Sequence, residues 1–167
     1  MPVDVSCDVK DASHYVRALR SEALKLLKLL GRKDSELSVL LTGDRRIKEL
    51  NRDFRHKNRP TDVLSFAQIE ALDGEVPENP PRPPEVSVMG DVVISIETAA
   101  RQASEIGQSV EGRLRALLVH GMLHLLGYDH ERSAADAKLM FGRQAEIEAM
   151  LVGATPEARR VGHGKVR

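Results

Sequence analysis

Three histidines fall within one short segment, His120-Gly-Met-Leu-His124-Leu-Leu-Gly127-Tyr-Asp-His130. Residues four apart on an α-helix differ by roughly 40° around the axis and about 6 Å along it, so His120 and His124 project from one face. Gly127 tolerates a left-handed conformation that ends a helix and turns the chain back, which returns His130 toward the pair. Three neutral imidazoles with one open coordination position make a site for a Zn²⁺ that activates water. The segment therefore reads as the centre of a metal-dependent hydrolase with one zinc per chain. The two helical histidines alone would fit hydrogen-bonded core residues of an apolar helix. The glycine turn and the third histidine weigh against that, because three of the six histidines lie in eleven largely apolar residues. Burying several imidazoles without strong partners is costly, and a metal removes the cost. Asp129, beside the third histidine, is placed either to accept an imidazole N–H or to cap the turn.

A second feature lies between residues 45 and 59. Seven basic side chains (Arg45, Arg46, Lys48, Arg52, Arg55, Lys57 and Arg59) stand there against two acids, Glu49 and Asp53. The formal net charge of the chain is zero, which excludes a global attraction to polyanions, but a local positive surface binds phosphates whatever the total. A solvated helix face and loop is the competing reading. With no Trp, two Tyr and three Phe, a platform that stacks many bases is excluded.

The elements that must position these groups follow from the apolar pattern. Alternation of Val3, Val5, Cys7 and Val9 predicts a strand over 3–9. A stripe of Val16, Leu19, Ala23, Leu26, Leu27 and Leu30 predicts a helix over 13–30 that stops before Gly31. A strand is expected over 36–41. Thr42-Gly43-Asp44 then turns and caps a helix with Ile47, Leu50 and Phe54 on its inner face. Further strands are expected over 62–67 and 88–96, and helices over 97–106 and 110–126. A last helix starts at Ser133, with Asp136 in capping position and Ala137, Met140, Phe141, Ile147 and Leu151 facing inward. Residues 70–87 carry five of the eight prolines and five acids against one arginine, a composition that cannot order as a core element; it reads as an exposed connection of unassigned role.

This order gives an α+β domain over 1–152, a small mixed four-stranded sheet packed with about five helices, followed by a polar tail over 153–167 in which His163 is a bystander. A chain of 167 residues buries roughly 70% of its unfolded surface, enough for a single core. The one cysteine, Cys7, excludes an internal disulfide and a thiolate zinc cluster and reads as a packed strand residue. No apolar run is long enough to span a bilayer, and the N-terminus has no signal-peptide pattern, so a cytoplasmic protein without membrane contact is expected.

The histidine spacing resembles that of the metzincin metalloproteases, which carry a glutamate general base directly after the first histidine. Here that position is Gly121, and a peptidase of that type would lack its proton acceptor. A more specific resemblance runs through three separated blocks. Residues 120–130 match the signature H-G-x-L-H-L-x-G-Y-D-H throughout. A second block is Leu50-Asn51-Arg52-Asp53-Phe54-Arg55 followed by Thr61-Asp62-Val63-Leu64-Ser65-Phe66, and a third is Gly90-Asp91-Val92-Val93-Ile94-Ser95. In these blocks and their order the chain resembles, nearly end to end, the YbeY family of bacterial rRNA maturation factors, single-strand-specific endoribonucleases. The resemblance implies zinc held by His120, His124 and His130 beside a cleft lined by Arg55 as the catalytic arginine. It also implies a role in 16S rRNA 3′-end maturation and ribosome quality control. The partners it implies are ribosomal RNA and, beyond it, ribosomal proteins or an assembly GTPase.

The chemistry of the residues agrees with that reading. RNA cleavage develops negative charge on phosphate oxygens, to which a guanidinium donates two parallel hydrogen bonds. Arg45, Arg46, Arg52, Lys57 and Arg59 are the accompanying RNA-binding candidates. The nucleophile stays open between a water activated by the metal and the substrate 2′-OH. Asp91 and Ser65 could line the cleft or serve as ordinary strand residues, and Tyr128 reads as packing. Two other functions also stay open on the residues: a non-catalytic assembly factor with a structural zinc, and a metal-dependent hydrolase of another substrate.

Overall fold

The computed structural model describes residues 3–68, 88–131 and 133–153; the proline-rich 70–87 segment and His163 in the tail lie outside them. The order is β1 (Val3–Cys7), α1 (Tyr15–Leu29), β2 (Glu36–Thr42), α2 (Asp44–Arg55), β3 (Val63–Ala67), β4 (Val88–Ser95), α3 (Ile96–Ile106), α4 (Val110–Leu125) and α5 (Ala134–Leu151). The four strands form one mixed sheet in the order β1-β2-β4-β3. β1, β2 and β4 run parallel, and β3 runs antiparallel to β4. The α+β architecture with five helices is the expected one.

Strand alternation sends side chains to two unequal faces. On one face Val3, Val5, Leu37, Val39, Leu41, Val92 and Ile94 meet Leu19, Leu26 and Leu27 of α1 and Leu114, Leu118 and Met122 of α4 in the main core. On the other, Leu64 and Val93 pack under Ile47 of α2 in a small separate cluster, with Leu40, Leu50 and Phe66 half-buried around it. Central β4 is therefore apolar on both faces, whereas α4 is buried almost all round, from Leu114 to Leu125.

That difference corrects one expectation. Phe54 is not on an inner face: it is 64% exposed, and its ring meets that of Phe66 at a steep angle, with centroids 5.3 Å apart. Only Ile47 and Asn51 of α2 are buried, because this helix covers a small part of its sheet face. Asp44 does not cap its own helix either. Gly43 occupies the cap position without a side-chain bond, and the Asp44 backbone N–H donates to Glu97 Oε1 of α3 at 2.9 Å. Ser133 caps α5 by accepting from the Asp136 N–H.

Candidate metal centre

α4 presents His120 and His124 one turn apart and ends at Leu125. The reversal comes from Gly127 at φ +99°, a value that L side chains rarely adopt. The Gly127 N–H donates to His124 O and the Tyr128 N–H to Leu123 O, so the turn is fastened to the helix that carries the first two histidines. Asp129 Oδ1 accepts from the Glu131 N–H at 2.8 Å, a turn-fixing bond beside His130.

The three imidazoles converge. His124 Nε2 lies 3.2 Å from His120 Nε2 and 3.2 Å from His130 Nδ1, and the three side chains together could hold a metal ion. Such a spacing suits ligands around a tetrahedral ion with zinc–nitrogen bonds of about 2.0–2.1 Å. His120 Nδ1 is 3.0 Å from Gln144 Oε1 of α5. An amide oxygen only accepts, so Nδ1 carries the proton and Nε2 keeps its lone pair toward the other rings. The amide of Gln144 is itself oriented by donation from Nε2 to Ala116 O at 3.4 Å. Burial holds His120 below the ordinary histidine value, against the Gln144 bond that works to raise it. Burial, with the neighbouring His120 and His130 rings, pushes His124 down to about 4. Both are therefore neutral near pH 7, the form in which imidazole binds a metal. His124 Nε2, as one donor or one acceptor, serves only one of the two ring nitrogens beside it, and the three rings together are a donor set that fits a cation.

The triad opens into a cleft of about 380 Å³. Its other walls include Arg55 at the end of α2 and Lys57 and Arg59 just beyond it, together with Arg113, Ser65 and Phe141. The segment beyond α2 is held by Asn51, buried in that helix, whose Nδ2 donates to Arg59 O at 2.9 Å. Asp62 and Arg113 cross-link the cleft floor at 3.4 Å, and Gln102 bonds both of them. The structure thus divides the basic stretch. Arg55, Lys57 and Arg59 share a cleft with the histidines, and Arg55 lies near enough to help depress His124. Arg45 and Arg46 pair with Glu49, and Arg52 with Asp53; none of these three lines the cleft, and Arg46 borders the groove on the α2 face with Asp91.

Gly121 has a packing reason to be glycine. A Cβ there would lie 2.7 Å from Val92 Cγ1 and 3.1 Å from Ser65 Oγ, and Ser65 Oγ donates to Gly121 O at 2.8 Å. The position faces the sheet, which leaves no room for the glutamate of a metzincin. Gln144, Arg113 and Asp62 are not visible as site residues in the sequence, since each acts through contacts between distant segments, and Asn51 is not, because its amide reads as an ordinary polar helix residue. Only the polar character of Gln144 within an apolar helix stripe hinted at such a role. Phe141, expected in the core, is half exposed at the cleft.

The sequence model of the family described as Endoribonuclease YbeY matches residues 4–152. A protein of Anaeromyxobacter dehalogenans named Endoribonuclease YbeY is 45% identical over 165 residues, covering 97% of this chain and 79% of that one. Its namesake in Geobacter metallireducens is 49% identical over 134 residues, covering 80% and 84%. The solution structure of a Thermotoga maritima protein matches with a TM-score of 0.60 and 28% identity over 90% of this chain and 89% of its own.

Proposed function

The chain belongs to the YbeY endoribonuclease family, and on that premise we propose that it is a zinc-dependent endoribonuclease of single-stranded RNA that matures the 3′ end of 16S rRNA. One observation carries the reading: three imidazoles converge in the same cleft as three basic side chains, Arg55, Lys57 and Arg59. His120, His124 and His130 would hold the zinc. When bound it supplies Lewis-acid polarisation of a phosphate and acidification of water near neutral pH. Gln144 keeps the Nε2 lone pair of His120 available. Arg55 donates to the non-bridging phosphate oxygens as their charge grows. Lys57 and Arg59 hold flanking phosphates, and Asn51 fixes the segment that carries them. Asp62 keeps Arg113 directed along the cleft floor.

No described helix is long and apolar enough to cross a membrane, in keeping with a substrate met in the cytoplasm. The test is cleavage mapping on RNA carrying the 16S 3′ precursor. Wild type is expected to cut in single-stranded sequence, His120→Ala to leave the RNA whole and Arg55→Ala to cut it far more slowly at the same place. Zinc-loaded protein that leaves the RNA intact yet restores ribosome maturation in a deletion strain would overturn the enzymatic reading in favour of an assembly factor.

A further inference from the structure

We propose that Phe141 is a stacking platform for one unpaired nucleobase beside the metal centre, and that it sets the preference for single-stranded RNA at the cut. The inference rests on the endoribonuclease reading and deepens it. The buried residues of α5 are Met140, Ile147 and Leu151. Phe141 follows Met140, roughly 100° further round the helix, and so leaves the core. It stays 50% exposed and lines the cleft. Its ring centroid lies 6.2 Å from that of His120 at an interplanar angle of 25°, and 5.8 Å from that of His130. The imidazoles thus back the ring while half of the residue remains open to solvent.

Among the described residues, no other Phe, Tyr or Trp lines this cleft. The cations that would take phosphates come from a different segment, 55–59, so backbone and base of one nucleotide would meet separate walls. A nucleobase inside a duplex has both faces covered by its neighbours, whereas a splayed base offers a free face to an aromatic ring. One exposed ring beside the candidate metal ligands therefore favours an unpaired nucleotide there, without reading its sequence. The competing role is an apolar wall that shields the imidazoles, which a leucine would fill as well.

The test uses the zinc-loaded full chain with Phe141→Leu and Phe141→Trp. Because the chain contains no other tryptophan, Phe141→Trp carries a single fluorophore at the platform. Phe141→Leu is expected to keep its zinc and to lose about 5- to 30-fold in kcat/KM on a single-stranded oligonucleotide, mainly through KM. Phe141→Trp is expected to retain activity, with its fluorescence quenched by single-stranded RNA and unaffected by an abasic oligonucleotide of equal charge. Wild-type turnover in Phe141→Leu, or unquenched fluorescence in Phe141→Trp while RNA is being cut, would overturn the platform and leave the nuclease standing. Loss of zinc from Phe141→Leu would assign the ring to the wall role instead. Absence of RNA cleavage by the wild type would remove the endoribonuclease reading and this inference with it.

Discussion

Two polar clusters lie at opposite ends of the chemistry this fold allows. At the junction of α2 with β4 and α3, Asp44 accepts from Ser95 Oγ and Thr98 Oγ1, each at 2.6 Å, and from Arg101 at 2.7 Å. Donors and acceptors match there, and the cluster closes on itself. At the end of α4, three imidazoles face one another across 3.2 Å. With the His120 Nδ1 proton committed to Gln144, His124 Nε2 stands between two ring nitrogens and, as one donor or one acceptor, serves only one of them. The first cluster is complete without a ligand and ties helices together; the second leaves a ring contact over and could hold a metal ion. Satisfaction of hydrogen bonds, rather than polarity or burial, separates a structural network from a binding site.

The largest effect is expected at His124, which touches both other rings. His124→Ala should abolish zinc binding and RNA cleavage while thermal unfolding stays cooperative, checked by metal analysis, cleavage assays and calorimetry. Next comes Arg55→Ala, expected to keep zinc and to lose about 10²–10³-fold in kcat/KM, the scale of removing one group that stabilises developing charge. Gln144→Leu should weaken zinc about 10- to 100-fold in chelator competition, since nothing then fixes the His120 tautomer. The smallest effect belongs to the closed cluster. Asp44→Asn should cost about 1–2 kcal/mol in denaturant unfolding and leave cleavage untouched.

The pH dependence of the Asp44 contribution has a definite sign. Burial works to raise this carboxyl, but the Ser95 and Thr98 hydroxyls and Arg101 outweigh it and hold it below the ordinary 3.8. A carboxylate depressed on folding stabilises above its unfolded pKa and loses that contribution as pH falls through the folded one. The stability gap between wild type and Asp44→Asn should therefore be full near pH 7 and shrink below about pH 4. A gap that did not shrink on acidification below the unfolded value would deny the charge its role.

The strands, the helices and the converging histidines were legible because they depend on local rules. Alternation marks strands, a four-residue spacing places two rings on one helix face, and a glycine reverses the chain. What escaped depends on which face of the sheet is covered. Phe54 and Phe141 fit helical stripes, yet both are exposed, since α2 covers little of its face and Phe141 turns from the core to the cleft. Asn51 looked like any solvated amide and is buried to pin the Arg59 carbonyl. Gln144 reaches His120 across 24 positions, and Arg113 reaches Asp62 across 51. A basic stretch that was even in sequence divides in space, with Arg55, Lys57 and Arg59 at the cleft and Arg45, Arg46 and Arg52 paired elsewhere.

RNA cleavage by this chain should depend on a zinc held by the converging histidines. Zinc titration of metal-stripped protein, followed by cleavage of single-stranded RNA at each point, tests it most directly. Activity should rise linearly and saturate at one zinc per chain, the stoichiometry of a single three-histidine site, and His124→Ala should show neither binding nor cleavage. Full activity in stripped protein, or saturation unchanged by His124→Ala, would contradict it.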